Sequence, residues 1–223
     1  MTIMAVLFDL DNTLIDFVKM KKFATKAAAR AMVKAGLKMS VNKAAKKLLE
    51  SYYEHGIESD DAFTKFLEKN FGKVDERILD VGVNAYLKEK QKHLKPYPDV
   101  KRTLSTLKKR GIKLGIVSDA PKIKAVKRLK AMGLHKYFDS IVCFDDTGKK
   151  KPSKEPFLKA LKELKVKPEE AMMVGDWPER DIEGAKAVGM RTCFARYGDF
   201  NGSKKSGADW EIGDIKEVLS VIK

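Results

Sequence analysis

Apolar and polar positions along this chain follow two different rhythms. Short continuous apolar runs recur at residues 3–8, 112–117, 140–144, 171–174 and 191–194. Runs of that kind predict strands buried on both faces, as in a parallel sheet covered by helices. Between them apolar residues recur at helical spacing. One such segment spans residues 99–110 and ends at Gly111, and a second starts at Pro121, a first-turn position that tolerates its missing N–H, and runs to Met132 before Gly133. A third begins near Lys154 and carries Phe157, Leu158, Leu161 and Leu164, a fourth covers 180–188 before Gly189, and a last one covers 212–222 after a polar loop over 198–208. Five strands alternating with helices predict an α/β fold, a doubly wound parallel sheet whose ligands lie outside the strand carboxyl ends.

Residues 17–94 break this alternation, because their apolar spacing is helical throughout. Phe23, Ala27, Ala31 and Ala35 form one stripe, ended by Gly36. A second helix runs from Ser40 as N-cap through Ala44, Leu48 and Tyr52 to Gly56, a third starts after Ser59 and carries Phe63, Phe66 and Leu67 up to Gly72, and a fourth covers 77–93. The expected organisation is a core domain of residues 1–16 and 95–223, interrupted by an all-helical domain of residues 17–94.

The polar residues at the strand ends are unusual for their chemistry. Asp9-Leu10-Asp11-Asn12-Thr13 follows the first strand, Ser118-Asp119 the second, Lys149-Lys150-Lys151-Pro152 lies in the loop beyond the third, and Gly175-Asp176 with Asp181 follows the fourth. A turn that ends a strand explains any one of these. The whole set, gathered at one end of one sheet, is better explained by a site. The glycine patterns of dinucleotide and nucleoside-triphosphate loops are absent.

Composition narrows the partners. The chain has 223 residues, 43% hydrophobic and 35% charged, with 46 basic against 31 acidic side chains and a net charge of +15. Only 8 of the basic residues are arginine, and the lysines are spread over every expected helix. A solvated lysine exterior fits that spread, and neither an arginine patch nor a nucleic-acid motif is present, so no nucleic-acid partner is expected. The positive field favours small anionic substrates. Cys143 and Cys193 sit in apolar runs as buried strand residues rather than as a disulfide or metal pair, the three histidines lack ligand spacing, and no run approaches the roughly 20 apolar residues of a membrane span. With no basic leader at the N-terminus, the expectation is a cytoplasmic protein without a membrane partner, either monomer or homodimer.

The motif set resembles that of the haloacid dehalogenase-like hydrolase superfamily over the whole chain. Asp9-Leu10-Asp11-Asn12-Thr13 is similar to its first motif, Ser118 to its second, Lys151-Pro152 to its third, and Gly175-Asp176 with Asp181 to its fourth. The helical segment resembles the cap of that family's capped phosphatase branch. Residues 29–37 and Leu94-Lys95-Pro96-Tyr97-Pro98 resemble archaeal members described as glyceraldehyde 3-phosphate phosphatases. The third motif departs from the family pattern, since Lys154 stands where a second proline is frequent and Pro156 is shifted. Lys150 and Lys154 are therefore fallbacks for Lys151. Trp177-Pro178 adds bulk beside the acidic site, either shaping the substrate entrance or packing the loop.

The resemblance implies Mg²⁺-dependent hydrolysis of a small phosphorylated metabolite. Asp9 is then the nucleophile that forms an aspartyl phosphate, and Asp11 the acid that protonates the leaving alkoxide and later activates water. Asp9, the backbone carbonyl of Asp11, and Asp176 suit Mg²⁺, and Asp181 either ligates it or orients metal-bound water and Lys151. Lys151 neutralises the phosphoryl group, while Ser118, Asn12 and the backbone N–H of Asp119 hold its oxygens. Phosphoglycolate phosphatase and sugar phosphomutase share this first half-reaction. A 2-haloacid dehalogenase needs no second acid, so Asp11 argues against it. A noncatalytic anion binder and a protein phosphatase are the remaining alternatives. Substrate choice is assigned to the helical segment, with Phe17, Lys21, Tyr52, Tyr53 and His55 as candidates; Tyr52 and Tyr53 are adjacent on a helix and cannot face the same way.

Overall fold

The computed structural model describes residues 2–222. The chain forms two compact units, one running to Asp16 and resuming at Lys95, the other spanning Phe17–Leu94. Strand β1 (Ala5–Phe8) opens the first unit with four fully buried residues.

The second unit is a four-helix assembly of α1 (Phe17–Lys34), α2 (Val41–His55), α3 (Ala62–Phe71) and α4 (Glu76–His93). Ser40 caps α2 by accepting the Lys43 N–H, Asp75 caps α4 by accepting the Ile78 N–H at 3.1 Å, and left-handed Gly72 ends α3. Helix α3 starts at Ala62. The interior of the unit is built on Met32, Leu48, Phe63, Phe66 and Leu67, with the Tyr52, Phe63 and Tyr86 rings in mutual contact. The stripe expected on α1 is corrected by one position. Met20, Ala24, Ala28 and Met32 are buried, whereas Phe23 is 42% exposed and stacks on His93. In an alanine-rich helix two neighbouring i, i+4 rows look alike in sequence, and only packing against α2 and α4 selects one.

In the first unit, α5 (Val100–Lys109) leads to β2 (Lys113–Val117), α6 (Lys122–Ala131), β3 (Ser140–Val142) and α7 (Phe144–Thr147). There follow α8 (Lys154–Leu164), β4 (Ala171–Gly175), α9 (Glu183–Lys186), β5 (Arg191–Ala195), β6 (Trp210–Ile212) and α10 (Val218–Val221). All strands are parallel, in the order β3-β2-β1-β4-β5-β6. The chain winds outward from β1 to β3, then returns to β4 and winds outward the other way. The loops leaving β1 and β4 therefore diverge, opening a crevice at their carboxyl ends. On one face, α8 lays Phe157, Ala160 and Leu161 against Leu7, Val117 and Met173 of the sheet.

Three local expectations are corrected. The strand over 140–144 ends at Val142, and Cys143 caps the short α7 where the sequence pattern predicts a loop. The helix over 180–188 divides into a π turn, Pro178–Ile182, and α9. The last segment holds a sixth strand, β6, and only a short terminal helix. Trp210 and Glu211 are exposed, so this edge strand lacks the continuous apolar run that marks a central one. Cys143 and Cys193 are free and buried, and burial pushes both thiols up to about 12. Among the described residues, no helix is long and apolar enough to cross a membrane.

Candidate active site

Burial makes the centre of the sheet hostile to charge, so its polar residues appear one step beyond each strand. The Asp9 N–H still donates to Val174 O at 2.9 Å, extending the β1 ladder by one residue and leaving the side chain at the crevice mouth. The chain then turns tightly. Asn12 adopts a left-handed φ of 67°, its N–H donates to Ile15 O at 2.7 Å, and Leu14 N–H returns to Leu10 O at 2.9 Å. Asparagine tolerates that conformation better than most residues with a side chain.

Asp176 and Asp181 reach the same place from β4. The π turn carries Asp181 back over Gly175, where an added Cβ would lie 2.3 Å from the Asp181 carboxyl carbon. Only glycine permits that approach. The Trp177 N–H donates to Asp181 Oδ2 at 3.0 Å, and the Thr13 hydroxyl donates to Asp176 Oδ1 at 2.9 Å. Lys151 enters from the loop before α8. Its buried Nζ donates to Asp9 Oδ1 at 2.5 Å, Asp181 Oδ1 at 2.6 Å and Val117 O at 2.9 Å.

The remaining expected residues are placed as follows. The Lys151 N–H donates to Asp119 Oδ1 at 2.9 Å, so Asp119 borders the cluster. Ser118 is buried just past β2, its N–H on Val142 O and its Oγ accepting the Ala120 N–H at 3.3 Å. Asp11 Oδ2 accepts from the buried Arg128 guanidinium at 3.0 Å. Lys150 and Lys154 are exposed, which leaves Lys151 as the buried lysine of the third motif. In the helical unit, Lys21 lies 3.4 Å from the Tyr52 ring centroid, Tyr53 is exposed, and His55 Nδ1 is 3.0 Å from Ser51 O.

Electrostatics follow from this crowding. Burial drives the Asp176 carboxyl well above the ordinary carboxylate range, and the charges of Asp9 and Asp181 push it further than Thr13 and Lys151 can offset. Asp181 is raised for the same reasons, burial first, against the pull of Lys151. Burial alone would lower Lys151, but Asp181 and Asp9 outweigh it and hold the ammonium charged. One ammonium thus serves more carboxylates than it can neutralise.

Oxygen atoms from Asp9, Asp176 and Asp181 all lie within 4.8 Å of one another. Crowded hard oxygen donors with excess negative charge fit a divalent cation. The site gathers the carboxyl groups of Asp9, Asp11, Asp119, Asp176 and Asp181 around the three cationic side chains of Lys151, Arg128 and Arg180, and a divalent ion would offset the excess of acid. Asp11 contributes no carboxylate oxygen to the three-aspartate cluster.

Several supporting contacts have no local signature in the sequence, although Thr13 itself lies within the first motif. Thr13 braces Asp176, Arg128 meets Asp11, and Arg180 pairs with Asp119. The scarcity of arginine in a lysine-rich chain is the one available signal for the two arginines. The loop after β5 has the pattern of a plain polar connection. It packs Gly198 so close to the first motif that an added Cβ would lie 1.9 Å from Asn12 O, while Tyr197 donates its hydroxyl to Thr13 O at 2.8 Å. Gly198→Ala is expected to displace the Asn12 peptide and lower turnover by roughly 10- to 100-fold, the range for support of a metal site. Steady-state kinetics on the folded variant checks this, and unchanged turnover would remove the loop from the site's support.

Comparison with known proteins agrees with this geometry. Residues 6–195 match the haloacid dehalogenase-like hydrolase family. The chain is 35% identical to the glyceraldehyde 3-phosphate phosphatase of Methanopyrus kandleri, over 99% of this chain and 97% of that one. It is 36% identical to the phosphoglycolate phosphatase of Aquifex aeolicus, over 86% and 84% of the two chains. The crystal structure of a HAD phosphatase from Thermococcus onnurineus superposes with a TM-score of 0.70 at 30% identity, covering 99% of this chain and 97% of the other. The protein belongs to the haloacid dehalogenase-like hydrolase family, in its capped phosphatase branch.

Proposed function

We propose that this chain is a Mg²⁺-dependent phosphatase acting on small phosphomonoesters through an aspartyl phosphate, with glyceraldehyde 3-phosphate as its substrate. The observation that carries the reading is the buried Lys151 ammonium held between Asp9 and Asp181, beside Asp176. The relatives named for phosphatase activity supply the substrate class. In the same reading, residues 1–16 and 95–223 form the core domain and 17–94 the cap domain, and the protein acts in the cytoplasm, as a monomer or homodimer, where its free thiols stay reduced.

Asp9, Asp176 and the backbone carbonyl of Asp11, with Asp181 beside them, would hold Mg²⁺, which would supply the charge compensation that lets an anionic nucleophile meet an anionic phosphoryl group. The chain's residues do the rest. An Asp9 oxygen attacks phosphorus in line, the bond to the leaving oxygen breaks, and Asp11 gives that oxygen its proton. The Asp11 carboxylate then takes a proton from water as the water attacks phosphorus, releasing inorganic phosphate and regenerating Asp9. Lys151 stays charged throughout and balances the phosphoryl oxygens, while Ser118, Asn12 and the Asp119 N–H hold them in place.

A phosphate-release panel of triose, glycolate and sugar phosphates, run with Mg²⁺ and with chelator, tests this reading. Triose phosphate is expected to be the best substrate and chelator to abolish release. Asp11→Asn is expected to lose about 10²- to 10⁴-fold in kcat while keeping the fold. Metal-independent turnover, or an unimpaired Asp11→Asn enzyme, would refute the mechanism. A preference for phosphoglycolate would move the substrate assignment alone.

A further inference from the structure

The Lys151 side chain has three acceptors, but its place depends equally on where its backbone sits. That backbone is pinned by Asp119, whose Oδ1 accepts the Lys151 N–H at 2.9 Å. The other oxygen of Asp119 accepts from the Arg180 guanidinium. Arg180 is in turn fixed by lying over the Trp177 ring, 4.6 Å from its centroid, and Trp177 meets Phe200 edge-on at 5.7 Å. Arg180 directly precedes Asp181, which receives the Lys151 ammonium on one oxygen and the Trp177 N–H on the other.

These contacts close a ring: Lys151 backbone, Asp119, Arg180, Asp181, Lys151 ammonium. It ties together the segments that follow β2, α7 and β4. A ring of this kind restricts the ammonium more than any single contact, because each carboxylate is itself oriented by a further partner. Arg180 also answers a charge problem. The Asp119 carboxylate, 14% exposed, would otherwise stand unneutralised beside a site that must accept a phosphate dianion.

Building on the phosphatase reading, we propose that Arg180 is a positioning residue for phosphoryl transfer: through Asp119 it sets the Lys151 backbone, and it screens the Asp119 charge from the incoming phosphate. It does not itself touch the reacting atoms. Trp177 serves as the platform over which its guanidinium lies.

The test compares wild type, Arg180→Met, Arg180→Lys, Asp119→Asn and the double variant Arg180→Met/Asp119→Asn in Mg²⁺-dependent phosphate release, with thermal unfolding of each. Arg180→Met is expected to lose roughly 10- to 100-fold in kcat. It should also bind inorganic phosphate, the probe for the anion site, more weakly than wild type. The double variant should recover part of both losses, because removing the Asp119 charge relieves what the missing arginine exposed. A merely structural arginine would give no such recovery. Arg180→Lys, which keeps the charge without the planar fork, should fall between. Wild-type kcat in Arg180→Met, or a double variant worse than Arg180→Met, would overturn the proposal. If Arg180→Met does not fold, Asp119→Asn and Arg180→Lys decide, and wild-type kcat in both would overturn it. Failure of the phosphatase reading itself is distinguishable, since wild type would then release no phosphate from any ester in the panel.

Discussion

Asp9→Asn is expected to abolish phosphate release, with a loss on the order of 10⁴- to 10⁶-fold, the scale seen when a covalent nucleophile is removed. The fold should survive. Lys151 keeps Asp181 and Val117 O as partners, so its ammonium is not left stranded. Removing the Asp9 charge also relieves Asp176 and Asp181, both of which it raises. The metal-free variant should therefore be at least as stable as wild type. Phosphate release and thermal unfolding in chelator measure the two halves of this result. Full activity in a preparation free of other phosphatases would sink the covalent mechanism.

Lys151→Met should show the opposite balance, losing stability as well as turnover. It leaves Asp9 and Asp181 buried without their shared cation, and breaking a buried pair from one side costs about 3–5 kcal/mol. For a chain of this size that is a drop in Tm of about 6–20 °C. The loss should depend on pH. Folded Asp176 and Asp181 titrate above their ordinary value of 3.8, so between that value and their folded pKa the native state binds more protons than the unfolded one. Stability then falls as pH rises through that window. Without Lys151 the carboxylates titrate still higher and the window extends upward. In chelator the variant should accordingly be closer to wild type at pH 5 than at pH 8, and added Mg²⁺ should restore part of the difference at pH 8. Unfolding midpoints across that range decide it. A deficit independent of pH would mean that packing by the lysine stem, rather than its charge, supports the site.

Both predictions rest on residues that stand out in the sequence. Asp9, Ser118 and Asp176 follow apolar runs, and a carboxylate or hydroxyl at the boundary of a buried strand is conspicuous because burial excludes it elsewhere. Motif spacing singles out Lys151 among three consecutive lysines, and burial separates it from its neighbours. The partners of these residues are less visible. Arg128 lies 117 positions from Asp11, and Arg180 lies 61 positions from Asp119. No local pattern encodes a pairing across such distances. Gly198 resembles any loop glycine until the Asn12 carbonyl is found against it.

By itself the sequence determined the alternation of strands and helices, the all-helical insert, and the row of polar residues at the strand ends, because periodicity and burial act on neighbouring residues. Only the tertiary structure decided which face of α1 is buried, that the last segment adds a sixth strand at the sheet edge, and how Arg128, Arg180, Thr13 and the Tyr197-Gly198 loop brace the site. The face of α1 is chosen by its packing against α2 and α4, β6 joins the sheet through β5, and the bracing of the site depends on strand order, which brings the ends of β1 and β4 together although the two strands are far apart in the chain.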